Sequence, residues 1–199
     1  MRDIILASSN SGKVLEMRDL LKDQHFNLRS MADFTIPDAD ETGLTFVENA
    51  LIKARHACQL SGLPAISDDS GLVVHALQGK PGVFSARYAG PDASDADRIQ
   101  KVLEELDQTG SADRLAEFHC VSVFMSYPDE PAPIIAHGVW PGEILKAPRG
   151  NKGFGYDPIF YVPEFAQSAA EMDRFEKNRI SHRGRAMQKL KAYLKGVPA

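Results

Sequence analysis

Ile4-Ile5-Leu6-Ala7-Ser8-Ser9-Asn10-Ser11-Gly12-Lys13 (4–13) is an apolar run that stops in a cluster of turn residues. A short apolar run bounded by turn signals reads as a buried strand, here over 4–7. Leu15, Leu20 and Leu21 then recur at helical spacing and predict a helix over 14–23. The same mixing continues along the chain. Thr45 and Glu48 form the T-x-x-E pattern of a capping box. Behind it, Val47, Ala50, Leu51, Ala54, Ala57 and Cys58 make one apolar stripe that stops at Gly62. Two short strands, 64–67 and 72–75, are expected to flank Asp68-Asp69-Ser70-Gly71. A helix over 96–107 carries Ile99, Val102, Leu103 and Leu106 on one face. Strands over 118–127 and 134–145 follow, joined by a turn at 128–133. Residues 146–155 show no periodicity and are rich in Gly, Pro, Lys and Arg, which marks a functional loop. A strand over 159–162 comes next. The last helix starts after Ser181, with Ala186, Met187, Leu190, Tyr193 and Leu194 as its buried face and Gly196 as its end. Single strands alternating with helices argue for α/β or α+β around one mixed sheet.

The 199 residues fit one domain, or two tightly joined lobes. Hydrophobic residues at 43% and charged residues at 25% give the balance of a soluble globular chain. A net charge of −4 offers no global attraction to nucleic acid, although local charge could hold a small anion. The only cysteines, Cys58 and Cys120, sit among apolar residues and exclude a disulfide framework or a four-cysteine zinc site. No apolar stretch approaches the ~18 residues of a membrane span, and the opening residues lack the apolar core of a signal peptide. A soluble, reducing, cytoplasmic setting is expected, without nucleic-acid or membrane partners. No internal repeat or low-complexity tract is present.

Four strings can carry chemistry. Ser8-Ser9-Asn10-Ser11-Gly12-Lys13 lies between a strand and a helix, where backbone N–H groups favour a phosphate and Lys13 adds a full charge. Ala7 and Val14 depart from a Walker A loop, and a plain capped turn is the competing reading. Asp38, Asp40 and Glu41, then Asp68 and Asp69, supply carboxylates that could hold Mg²⁺ or deprotonate a water. The first cluster could equally be a solvated loop, while the adjacent aspartates repel and call for nearby cations or donors. In Gly153-Phe154-Gly155-Tyr156-Asp157-Pro158, Phe154 could stack on a base and Asp157 could accept hydrogen bonds, or the string could be a turn into the next strand. Lys177 and Ser181-His182-Arg183-Gly184 put positive charge at a helix start against its dipole, which suits either an anionic ligand or an exposed basic turn. His25, His56, His75, His119 and His137 show no metal-ligand spacing, and Trp140 reads as packing.

Six blocks, ASSNSGK (7–13), ETGLTFVENALIKA (41–54), ISDDSGL (66–72), PGVFSARYAG (81–90), GFGYDP (153–158) and ISHRG (180–184), stand in one order over nearly the whole chain. Together they resemble the noncanonical purine nucleoside triphosphate pyrophosphatases, the inosine/xanthosine triphosphate pyrophosphatase family. Ser8 stands where that family usually has Thr, and its hydroxyl can still donate to phosphate. The resemblance implies an α/β fold with a curved mixed sheet and flanking helices, two lobes around a deep substrate cleft, one domain over 1–199 and a homodimer. The implied reaction is Mg²⁺-dependent hydrolysis between the α and β phosphates of inosine and xanthosine triphosphates, including deoxy forms, which cleanses the nucleotide pool. It further implies that Ser8, Ser9, Asn10, Ser11, Gly12, Lys13, Lys53 and Lys177 meet the triphosphate and that Ser70 contacts substrate. Glu41 and Asp69 place Mg²⁺, and Asp69 is the base for the attacking water, helped by Asp68. Phe154, Gly155, Tyr156, Asp157, His182 and Arg183 form the base pocket. An Arg183 donor facing O6 accepts hypoxanthine and xanthine and opposes the adenine amino group. Competing readings are a related house-cleaning pyrophosphatase for modified pyrimidine or methylated nucleotides, whose usual Ser-Pro-Arg-Arg string is absent, and a nucleotide sensor without turnover.

Overall fold

The computed structural model describes residues 2–23 and 26–194; His25 and Gly196 lie outside them. The elements in chain order are β1 (Arg2–Ala7), α1 (Ser11–Leu21), β2 (Phe26–Ser30), α2 (Phe46–Ser61), β3 (Ala65–Val74), α3 (Asp95–Thr109), β4 (Leu115–Met125), β5 (Ile134–Ile144), β6 (Phe160–Val162), β7 (Gln167–Ser168), α4 (Arg174–Ile180) and α5 (His182–Leu194). The strands pair in the order β2-β1-β3-β4-β5-β6-β7. β1 runs parallel to β2 and β3, with Ile5 opposite Arg29 and Ala65, whereas β5–β6 and β6–β7 are antiparallel. This is the mixed sheet with helices that the sequence predicts.

Local chemistry explains most boundaries. α2 opens on the expected box, Thr45 accepting from Glu48 N and Glu48 from Thr45 N, and closes on Gly62 at φ +69°. α3 uses the same device through Ser94 and Asp97. α1 begins three residues before the predicted start because the Asn10 side chain accepts the Lys13 N–H at 3.0 Å. The two short strands expected at 64–67 and 72–75 are one strand, β3, which carries the Asp68–Gly71 string inside it. Acidic residues interrupt a strand when their charge demands water; here the chain supplies cations instead. α4 has no counterpart in the sequence reading. Asp173 caps it by accepting from Phe175 and Glu176 N, and Lys177 is its one buried residue, so it shows no apolar stripe. Tyr193, expected on the buried face of α5, is 59% exposed, while Ala186, Met187, Leu190 and Leu194 are buried as predicted.

The chain divides into two compact units. The first comprises the residues up to Asp69, Cys120–Gly138 and those from Arg183 onward. Alternation along its strands gives it two apolar layers. Ile4, Leu6, Ile66 and Phe124 pack with Met17 and Leu21 of α1 and Met187 and Leu190 of α5. Ile5, Ala7, Ala65 and Val123 turn the other way, onto Ala50, Ala54, Ala57 and Cys58 of α2. The second unit comprises Ser70–His119 and Val139–His182. Its core joins the predicted face of α3 to Leu72, Val74, Phe118, Trp140 and Phe160. Each fully buried Leu, Ile or Phe contributes about 1.5–3 kcal/mol over leaving it exposed. Both cysteines are buried and reduced.

Candidate active site

In the first unit, β3 presents Asp68 and Asp69 to opposite faces of the sheet, as consecutive strand residues must. Ile66 belongs to the layer of α1 and α5, and Asp68, two residues on, meets the same helices: Lys13 Nζ lies 3.2 Å and Arg183 Nε 3.5 Å from its Oδ2. Arg183 also pairs with Glu16 of α1. Burial works against the charge on Asp68, but Lys13, Arg183 and Lys53 outweigh it and hold its carboxyl well below the usual aspartate range. Ser67 turns towards α2, donating from Oγ to Ala50 O at 2.6 Å. Asp69 follows on that side, where Lys53 Nζ donates 2.8 Å bonds to both Asp69 Oδ1 and Glu41 Oε1. Burial raises the proton affinity of Asp69 above that of an ordinary aspartate; Lys53 and Lys13 counter this without cancelling it. Burial likewise opposes the charge on Lys53, and the carboxylates of Asp69, Asp68 and Glu41 more than restore it.

The loop before α1 is polar and open. Ser9 Oγ donates to Asp38 Oδ2 at 2.8 Å, and Asn10 N donates to Ser8 Oγ at 3.3 Å. Ser9, Asn10 and Ser11 are exposed. With α1 beginning at Ser11, the first-turn N–H groups of the helix lie beside Lys13, as an anion cradle requires. Glu41 is fixed by its surroundings on α2: Asn49 Oδ1 accepts the Gly43 N–H at 2.8 Å, and Glu48 Oε2 accepts those of Leu44 and Thr45.

Asp69 Oδ2 is buried and has no hydrogen-bond partner among the described residues. Leaving a carboxylate oxygen so is costly unless a cation or a water is expected there. Hard carboxylate oxygens from Glu41 and Asp69 suit Mg²⁺, which binds oxygen and keeps several waters. The residues present therefore fit the ion the resemblance implies.

The second unit holds the other predicted residues. Lys177 Nζ donates to Asp157 Oδ2 at 2.6 Å, both groups being buried, and stands 5.2 Å from the centre of the Phe154 ring. Asp157 Oδ2 also accepts the Phe154 N–H at 2.9 Å. Gly155 N donates to Asp95 Oδ2 at 2.6 Å, and Tyr156 Oη to Ser85 O at 2.8 Å. His182 stacks on Phe118, with centroids 4.7 Å apart, and on Trp140 at 6.2 Å. Lys177 thus meets Phe154 and Asp157, residues predicted to read the base. The loop at 146–155 has neither helix nor strand, and with the start of α3 it lines a cavity of about 410 Å³ that includes Asn151, Lys152 and Phe154.

The Ham1 family profile matches residues 4–193. The chain belongs to the Ham1 family. Among Ham1 relatives, a protein of Coxiella burnetii named dITP/XTP pyrophosphatase is 57% identical over 194 residues, covering 98% of this chain and 97% of its own. A Vibrio cholerae protein of the same name is 54% identical over 96% of this chain and 95% of its own. The solved HAM1 protein from Coxiella burnetii superposes with a TM-score of 0.93 at 56% identity, covering 98% of this chain and 99% of that one. The Staphylococcus aureus Ham1 protein gives 0.88 at 39% identity, covering 99% and 100%.

One participant in this Ham1 chain escaped the sequence reading. Glu16, partner of Arg183, carries no motif; its sole signal is the spacing of three that puts it on the Lys13 face of α1. Positive charge at the start of α5 suits either an anionic ligand or an exposed basic turn; Arg183 is buried, and Glu16 and Asp68 meet it. The repulsion expected between Asp68 and Asp69 is relieved by opposite orientation and separate cations.

Proposed function

We propose that this chain is a nucleoside triphosphate pyrophosphatase that hydrolyses deoxyinosine, inosine and xanthosine triphosphates to the monophosphate and pyrophosphate, working as one domain over 1–199. The name carried by its nearly full-length relatives supports the substrate class. The observation that carries the chemistry is the buried, unpartnered Oδ2 of Asp69 beside Lys53 and Glu41. A water oxygen attacks the α-phosphorus, its proton passes to Asp69, and the bond to the bridging oxygen breaks to release pyrophosphate. The raised proton affinity of Asp69 suits it to that transfer. Glu41 and Asp69 would hold Mg²⁺, which would supply charge stabilisation at the phosphate oxygens. Ser8, Ser9, Asn10, Ser11, Gly12 and Lys13 receive the triphosphate on N–H groups and a cation, and Lys53 adds charge. Asp68 fixes Lys13 and Arg183. Ser70 contacts substrate, Lys177 meets the triphosphate, and Phe154, Gly155, Tyr156, Asp157, His182 and Arg183 recognise the purine. Removing deaminated purines from the nucleotide pool, in the cytoplasm and as a homodimer, is the biological reading that follows. No helix among the described residues is long and apolar enough to cross a membrane.

The test is a panel of deoxyinosine, xanthosine, adenosine and guanosine triphosphates with Mg²⁺, with pyrophosphate and orthophosphate measured separately. Pyrophosphate from the first two, well above the others, is expected. Orthophosphate as the main product, or equal rates on all four, would overturn the reading.

A further inference from the structure

Glu41 and Asp69 do not stand as a bare acidic pair. A single ammonium, Lys53 Nζ, donates at 2.8 Å to an oxygen of each. Its side chain is only 12% exposed, so water screens these contacts little. The two carboxylates assigned to a divalent ion are therefore already served by a cation that belongs to the chain. We propose that Lys53 is a resident cation of the metal site, which holds Glu41 and Asp69 together before substrate arrives and competes with a divalent ion for their oxygens. This proposal rests on the assignment of Glu41 and Asp69 to the metal.

The consequence is a coupling between metal and nucleotide. A divalent ion taking these oxygens leaves a buried ammonium beside it, without its partners and repelled by the new charge. A triphosphate relieves both problems, because its anionic oxygens accept the displaced ammonium. The flexible four-carbon stem and rotatable donors of lysine allow that move without any shift of α2. Free metal is then a poor ligand, and metal with triphosphate is a good one. Displacement frees Asp69 Oδ1 beside the unpartnered Oδ2, so that both oxygens are available to the ion and the water.

Mn²⁺ alone, titrated into the full chain without nucleotide and followed by calorimetry, tests this directly. Lys53→Met keeps an unbranched stem and removes the charge. It is expected to bind Mn²⁺ roughly 5–150-fold more tightly than wild type, the span of ordinary coupling energies. Lys53→Arg, which keeps a cation, is expected to bind as weakly as wild type. Lys53→Gln replaces Lys53→Met under the same criterion if the methionine variant does not fold by circular dichroism. Adding Asp69→Asn to the uncharged variant separates the two assumptions. If the uncharged variant binds no more tightly than wild type while Asp69→Asn still weakens it, the resident-cation proposal is overturned and the metal assignment stands. If Asp69→Asn changes nothing, the metal assignment falls and takes the proposal with it.

Discussion

Asp68 and Asp69 are neighbours in sequence with opposite duties, and the pleat of β3 separates them. Asp69→Asn removes the proposed base and is expected to lower turnover by ~10²–10⁴ while the fold survives; a folded variant retaining more than about a tenth of wild-type pyrophosphate release would exclude Asp69 from that role. Asp68 serves by burying charge against Lys13 and Arg183. Removing one member of such a buried set costs about 3–5 kcal/mol, so Asp68→Asn should unfold at distinctly lower denaturant. The pH dependence has a definite sign. A carboxyl held below its unfolded value contributes fully above that value, 3.8, and loses the contribution as pH falls towards the lower folded value. The stability gap between wild type and Asp68→Asn should therefore be widest near neutrality and shrink below about pH 4, as denaturation midpoints across pH would reveal. A gap independent of pH would mean that the charge of Asp68 is not what matters. At this scale the sequence was legible where chemistry is local: two adjacent carboxylates announced a need for cations. It was silent on which cations, because Lys13, Lys53 and Arg183 reach them from three different helices.

Elements were legible where one side chain decides a boundary, as Thr45 and Gly62 do for α2. β3 was misread as two pieces because its interruption is electrostatic, and only tertiary cations remove it. α4 was missed because its buried residue is a lysine, which no apolar count registers. That lysine ties the helix to the turn at 153–157, and the turn depends on one glycine. Gly153 has φ +77°, and a Cβ there would stand 2.0 Å from Asp157 Oδ2. Gly153→Ala should therefore strain the backbone and push Asp157 off Lys177, costing more than about 1 kcal/mol. Thermal melts of Gly153→Ala and Asp157→Asn check this, and a glycine variant as stable as wild type would show that the turn is not clamped as described.

For the molecule as a whole, six motif blocks in order carried the family in advance, since each constrains a different element and their union leaves few alternatives. Tertiary pairings such as Glu16 with Arg183 lie beyond such reading, because the partners are 167 residues apart. Chelation of divalent ions should abolish pyrophosphate release without unfolding the chain, because the apolar layers of both units contain no metal ligand among the described residues. Circular dichroism with and without chelator, followed by Mg²⁺ restoration of activity, checks both halves; activity that survives thorough chelation would remove the ion from the reaction. Sedimentation at low and high protein concentration tests the homodimer.

The two buried thiols have a practical side. Burial raises Cys58 to about 11, and burial together with the neighbouring Asp68 raises Cys120 to about 12. Neither forms appreciable thiolate near neutral pH, so alkylating reagents and mild oxidants should pass both by. A cysteine introduced on the surface would then be the one position to take a maleimide dye, and the native protein would need no stripping of its own cysteines for fluorescence or spin-label work.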